Sequence, residues 1–245
     1  MSEERKTPPK IEAGVRPEAG GHLVTVNGRP AKTPRGNALI VPARALADAI
    51  AAEINVLPAT LMGKGLADPA AAPNFRISAG AIDVVCEADG RAEVEKELLG
   101  YAATDLVCIR ADRPDELVAR EDAVWGPLCS WFNERFGVGL VCARGLFAAP
   151  QPPAVAAALA AALAALDPFR LAVLSLATRS AGSIVVGFAL CEGRIDADAA
   201  FAAATLEETF QEEKWGADHD AAKARQVKQL DLAQAARFLE LLSEA

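Results

Sequence analysis

The sequence predicts an α+β protein: a small β-rich N-terminal domain of antiparallel strands plus a helix, followed by an all-helical C-terminal domain. Three observations carry this. Apolar residues alternate with period two only early in the chain, whereas beyond about residue 76 they recur every three or four positions. Alanine, the strongest helix former, supplies 54 of the 245 residues, and 27 of these lie after residue 150. Between the two patterns, residues 55–74 carry Pro58, Gly63, Gly65, Pro69 and Pro73 and no clean period, as a connection does. The expected division is a flexible arm at 1–21, a β-rich domain at 22–75 and a helical domain at 76–245.

The elements follow in order. Residues 1–21 hold charges, prolines and glycines without periodicity. LVTVNGRPAKT (23–33) alternates and then meets Asn27-Gly28, a pair suited to the positive backbone angles of a two-residue hairpin turn. A second turn, Pro34-Arg35-Gly36-Asn37, leads to ALIV (38–41), completing a three-strand meander. Pro42 fits a helix start, and 43–54 places Leu46, Ile50 and Ile54 on one face. Helices are expected at 76–87, 91–110, 115–136, 153–166, 168–179, 182–192, 197–215 and 220–243, with Gly137, Gly193 and Gly216 near their ends and Asp112, Asp167 and Asp196 near their starts.

Composition narrows function. Two histidines, five scattered cysteines and one tyrosine make a His- or Cys-based enzyme a poor fit. A net charge of −8 argues against nucleic acid and anionic membranes as partners. No two cysteines stand at zinc-knuckle or redox-pair spacing, so Cys86, Cys108, Cys129, Cys142 and Cys191 read as buried, reduced thiols, and neither a metal nor a cofactor is expected. The first ten residues lack the apolar stretch of a secretory signal, and the uncharged run at 145–166 is broken by Pro150, Pro152 and Pro153, so no membrane insertion is expected.

Two carboxylate settings stand out. Asp105 falls on the stripe of Leu98, Ala102 and Ile109, where a core residue belongs; a buried carboxylate there requires an ion pair or a neighbouring helix end to cap. In 196–216, Glu207, Gln211 and Trp215 follow one another at four-residue spacing beside an apolar stripe that includes Leu206 and Phe210. Such a row is either a solvated flank or an acidic ridge docking onto another protein with Trp215 as anchor. Gly63-Lys64-Gly65 lacks full phosphate-loop spacing, and Trp125, Trp131, Phe132 and Phe136 read as core rather than cofactor contacts. A carboxylate enzyme using Asp105 and Glu207 would need the two to converge on a concave site.

The segment LEETFQEEKWGADHD (206–220), preceded by SIVVGFAL (183–190) and GRID (193–196), resembles the ATP twelve-type chaperone family, assembly factors for the F1 sector of F-type ATP synthase. VTVNGRPAKTPRGNALIVP (24–42) and the stretch from Leu98 to Gly137 are similar to that family too, especially its α-proteobacterial members, while 54–83 departs from its pattern. The resemblance implies a non-enzymatic chaperone that holds the unassembled α subunit until it pairs with β. It also implies that the glutamate the family needs corresponds to Glu207, with Glu208, Phe210, Gln211 and Trp215 as further partner contacts. A monomer in a bacterial cytoplasm is the accompanying expectation.

Overall fold

The structure, a computed structural model, describes residues 12–56, 71–216 and 219–244, with 219–221 described by backbone alone. It has the expected class: short antiparallel strands first, then helices. Two compact units form, Met1–Glu87 with Phe238–Ala245, and Ala88–Arg237.

In the first unit, β1 (Ala13–Glu18), β2 (Gly21–Val26), β3 (Arg29–Pro30) and β4 (Ile40–Val41) make an antiparallel sheet with β2 paired to each of the others. Asn27 and Gly28 take positive φ, 50° and 76°, as the β2–β3 turn requires. Residues 13–18, assigned by sequence to the arm, are instead the strand β1, in register from Ala13↔Val26 to Glu18↔Gly21. Val15 is its only large apolar residue, so no alternation marks it; its partner β2 supplies the hydrogen bonds. Gly21 is required where β2 meets β4, because a Cβ there would stand 2.3 Å from the Val41 carbonyl oxygen.

Helix α1 (Arg44–Val56) packs on this sheet, burying Leu46, Ile50 and Ile54 in a core that also contains Leu23, Val24, Leu39 and Val41. Each such side chain contributes roughly 1.5–3 kcal/mol on leaving water. Helix α2 (Pro73–Gly80) has Ala72 at its N-cap, which offers no side-chain acceptor. Glu53 of α1 serves instead, accepting from the Asn74 and Phe75 amides at 2.9 and 3.0 Å. A wider turn at Ala81–Val85 then places Asp83 under the 33–37 turn, where it accepts from Thr33 Oγ1 (2.6 Å), Asn37 Nδ2 (2.8 Å) and the Arg35 amide (3.0 Å).

The second unit contains α3 (Ala88–Ala103), a single 3-10 turn (Leu106–Cys108), β5 (Ile109–Arg110), α4 (Asp115–Phe136), β6 (Ala143–Arg144), α5 (Pro153–Ala164), α6 (Pro168–Ala181), α7 (Ile184–Cys191), α8 (Ala197–Ala204) and α9 (Leu206–Trp215). The last helix, α10 (His219–Ser243), belongs to it through Arg237 and to the first unit from Phe238. Asp167 and Asp196 cap α6 and α8, and Gly137 closes α4 at φ 64°. The apolar α7 is buried along most of its length, and Gly187 allows it to lie against Thr178 of α6. Arg91 of α3 donates to the carbonyls of Leu163, Ala164 and Leu166, closing the free end of α5.

Two expected helices are shorter than their periodicity suggests. The span 91–110 ends at Ala103, because Asp105 leaves the helical conformation (φ −61°, ψ 133°) to become a cap. The span 197–215 breaks at Thr205, whose hydroxyl donates back to the Phe201 carbonyl at 2.8 Å.

Candidate functional site

Helix α9 carries four glutamates, and three have cations. Glu208 pairs with Lys228 at 3.0 Å, Glu213 with Arg120 at 2.7 Å, and Glu212 with Arg225. Glu207 has no cation partner among the described residues. It lines a groove of about 580 Å³ together with Gln211, Arg110, Arg113, Leu146 and Phe147. Leu146 and Phe147 are 90% and 83% exposed, a pair of large apolar side chains held in water.

A second carboxyl is concealed against Glu207. Glu121, on the same stripe of α4 as Trp125, Leu128, Cys129 and Phe132, is fully buried and accepts from the Ala111 amide through Oε2 at 2.8 Å. Its Oε1 has no protein donor among the described residues. Burial first, and then the Glu207 carboxylate within hydrogen-bond reach, push the Glu121 carboxyl up to about 7. With both groups ionised neither can donate; a proton on Glu121 supplies the missing bond. Glu121 therefore holds its proton well above the ordinary glutamate range.

The other residues singled out by sequence take different positions. Phe210 is only 3% exposed; it anchors α9 beneath the cations of Arg120 and Lys214, each 5.2 Å from its ring centroid, so it is a support rather than a contact surface. Trp215 ends α9 at 78% exposure. Asp105 is outside the groove and 1% exposed. Its Oδ1 accepts from Ser183 Oγ (2.6 Å) and the Val107 amide (3.1 Å), and its Oδ2 accepts from the Ile184 and Val185 amides (2.7 and 3.3 Å). Burial nevertheless raises its carboxyl to about 6 against these four bonds. Asp105 thus caps the N-terminus of α7 and does not meet Glu207 in the groove, where a two-carboxylate enzyme would need it.

Trp125 is buried and donates from Nε1 to the Ala203 carbonyl at 2.9 Å, while the half-buried Phe136 ring meets the buried Phe132 and Phe188 rings at tilted and edge-on angles. Gly63-Lys64-Gly65 lies outside the described residues. The cysteines depart from expectation: Cys86 and Cys142 are exposed, and Cys108, Cys129 and Cys142 come together. Sequence reasoning missed Glu121 and the Leu146-Phe147 pair. The first carried a signal, its place on the apolar stripe of α4.

A carboxyl pair beside an exposed apolar lip, with flanking guanidinium groups, suits the binding of another protein's surface. The fold and groove thus define an α+β protein with a groove under an exposed apolar lip. The chain's residues 10–133 match the family model described as ATP12 chaperone protein. It is 25% identical over 211 residues to the mitochondrial protein atp12 of Schizosaccharomyces pombe, covering 82% of this chain and 71% of that one. The crystal structure of Atp12 from Paracoccus denitrificans superposes with a TM-score of 0.86 at 34% identity, covering 96% of this chain and 97% of that one. An aspartate-to-lysine mutant of P. denitrificans Atp12p gives 0.85 at 35% identity, covering 94% and 95%. A protein from Agrobacterium tumefaciens gives 0.83 at 32%, covering 95% and 84%. The chain belongs to the ATP12 chaperone family. No helix among the described residues is long and apolar enough to cross a membrane.

Proposed function

We propose that this chaperone serves assembly of the F1 sector of ATP synthase by binding the unassembled α subunit and keeping it from aggregating until it pairs with β. It acts without catalysing a reaction, as a monomer in the bacterial cytoplasm. The observation that carries the reading is the groove: Glu207, the α9 glutamate with no cation partner among the described residues, stands with Gln211 next to the exposed Leu146 and Phe147. An unassembled subunit exposes apolar surface that aggregates; the lip offers apolar contact, and Glu207 an acceptor for a basic group beside it.

The test is co-expression with the cognate α and β subunits, followed by pull-down and measurement of soluble α. Selective retention of α is expected. Glu207→Lys should abolish retention with helical content unchanged, because the new ammonium meets the Glu121 carboxyl instead of a void. Glu208→Gln, which breaks the Lys228 pair and leaves Glu207 in place, should weaken retention less than Glu207→Lys. Normal rescue by Glu207→Lys, or retention of neither subunit by the parent, would sink the proposal.

A further inference from the structure

Three cysteines converge in the second unit. Cys108 ends the single turn before β5, Cys129 lies on α4, and Cys142 immediately precedes β6. Their sulfurs all lie within 4.8 Å of one another, with Cys129 and Cys142 Sγ 3.8 Å apart. Zinc–sulfur bonds of about 2.3 Å put two thiolates on a tetrahedral ion about 3.8 Å apart. That edge is already present.

Arg110 gives an independent sign. It is buried, 8% exposed, and its Nε and Nη1 donate to the Val107 carbonyl (3.2 Å) and Asp122 (2.8 Å). Its Nη2 meets only sulfur among the described residues: Cys129 at 3.6 Å and Cys142 at 4.0 Å. Asp122 balances the guanidinium's charge, but neutral thiols are weak acceptors and leave Nη2 poorly satisfied; metal-bound thiolates are charged and accept strongly.

We infer that Cys108, Cys129 and Cys142 form a binding site for Zn2+, with the fourth coordination position facing solvent beside the exposed Cys142. Each thiol gives its proton to solvent as its sulfur bonds the ion, three protons in all, and no electrons move. Three thiolates, one divalent ion and Arg110 sum to zero charge. The ion joins the 3-10 turn, α4 and β6, the segments that support Arg110 and the Leu146-Phe147 lip.

The full chain, prepared under nitrogen with reductant, is loaded with Zn2+, dialysed, and its metal content measured. One ion per chain is expected. Co2+ loaded in its place should show sulfur-to-cobalt charge transfer and the intense visible bands of a tetrahedral site. Cys129→Ser and Cys142→Ser should lose both signals, the exposed Cys142→Ser while keeping its circular dichroism, and Cys86→Ser and Cys191→Ser should keep both. An absence of retained ion in the parent, equal retention in Cys142→Ser, or a Co2+ spectrum without sulfur ligation would overturn the inference. An intact mass two hydrogens low, mapped to a Cys129–Cys142 disulfide, would also overturn it.

Discussion

Replacing Glu121 with Gln removes the ionisable half of the buried carboxyl pair while keeping its shape. The amide oxygen still accepts from Ala111, and the amide nitrogen donates toward Glu207. In the folded protein the Glu121 carboxyl titrates at about 7 against an ordinary value of 4.5, so the folded state holds the proton more tightly. The stabilisation that Glu121 gives is fully present below its unfolded pKa, falls as pH rises between about 4.5 and 7, and is gone above. That difference of about 2.5 in pKa corresponds to about 3 kcal/mol. Glu121→Gln lacks this slope. Its stability advantage over the parent should therefore grow by about 3 kcal/mol from pH 4.5 to 7.5, or roughly 1–3 M in urea midpoint. The three tryptophans, Trp125, Trp131 and Trp215, all lie within Ala88–Arg237, so their emission during urea unfolding reports the unit that contains Glu121. Titrating groups remote from this pair are common to both proteins and cancel in the comparison. A constant gap between parent and variant across this pH range would refute the reasoning.

Three further outcomes are expected. Asp105→Ala strands the Ser183 hydroxyl, the Ile184 and Val185 amides at the start of α7 and the Val107 amide of the 3-10 turn, and should cost about 3–5 kcal/mol in urea unfolding; a loss below 1 kcal/mol would contradict the capping role. Gly187→Ala puts a Cβ 2.4 Å from Thr178 Oγ1 and 3.2 Å from the Thr178 backbone, and should destabilise by about 1–3 kcal/mol, partly recovered by Thr178→Ala; full additivity of the two would remove the contact as the cause. For Asp83, burial raises the carboxyl, but hydrogen bonds from Thr33, Asn37 and Arg35 outweigh it and hold the group below its ordinary value. Its stabilisation is thus present above the unfolded pKa and lost as pH falls through the folded one. Asp83→Asn should accelerate hydrogen exchange at the Arg35 and Asn37 amides at pH 6, with the difference from the parent closing in acid.

Much of this arrangement was legible because the signals were local. Asn27-Gly28 marked its turn, the 3.6-residue period marked α4 at 115–136, and Asp167 and Asp196 marked helix starts, since a cap or turn is decided by residues two or three apart. What escaped depends on partners distant in sequence. β1 has almost no apolar pattern of its own and exists through its pairing with β2. Asp105 looked like a member of a helical stripe, yet the amides at the start of α7 draw it out of the helix. Thr205 divides what periodicity reads as one helix, because Leu206 and Phe210 continue the apolar stripe across the break. In the groove, Glu207 and Gln211 were legible as neighbours on one helix edge, whereas Arg110 and the Leu146-Phe147 lip reach it from elsewhere in the chain, and Glu121 lies buried against Glu207. The cysteines carry no pattern at all until the fold gathers them.

The assignment of Phe238–Ala245 to the first unit has a consequence for how the chain is made. Phe238 and Leu241 are buried, yet they belong with strands whose residues leave the ribosome first. At about 5–20 residues per second, translation of the intervening 88–237 takes on the order of 10–30 seconds. During that interval the β-sheet unit lacks its closing apolar side chains, while the helical unit can assemble from contiguous chain. The first unit therefore carries an unfinished surface throughout synthesis, and loss of residues 238–245 would leave it permanently in that state.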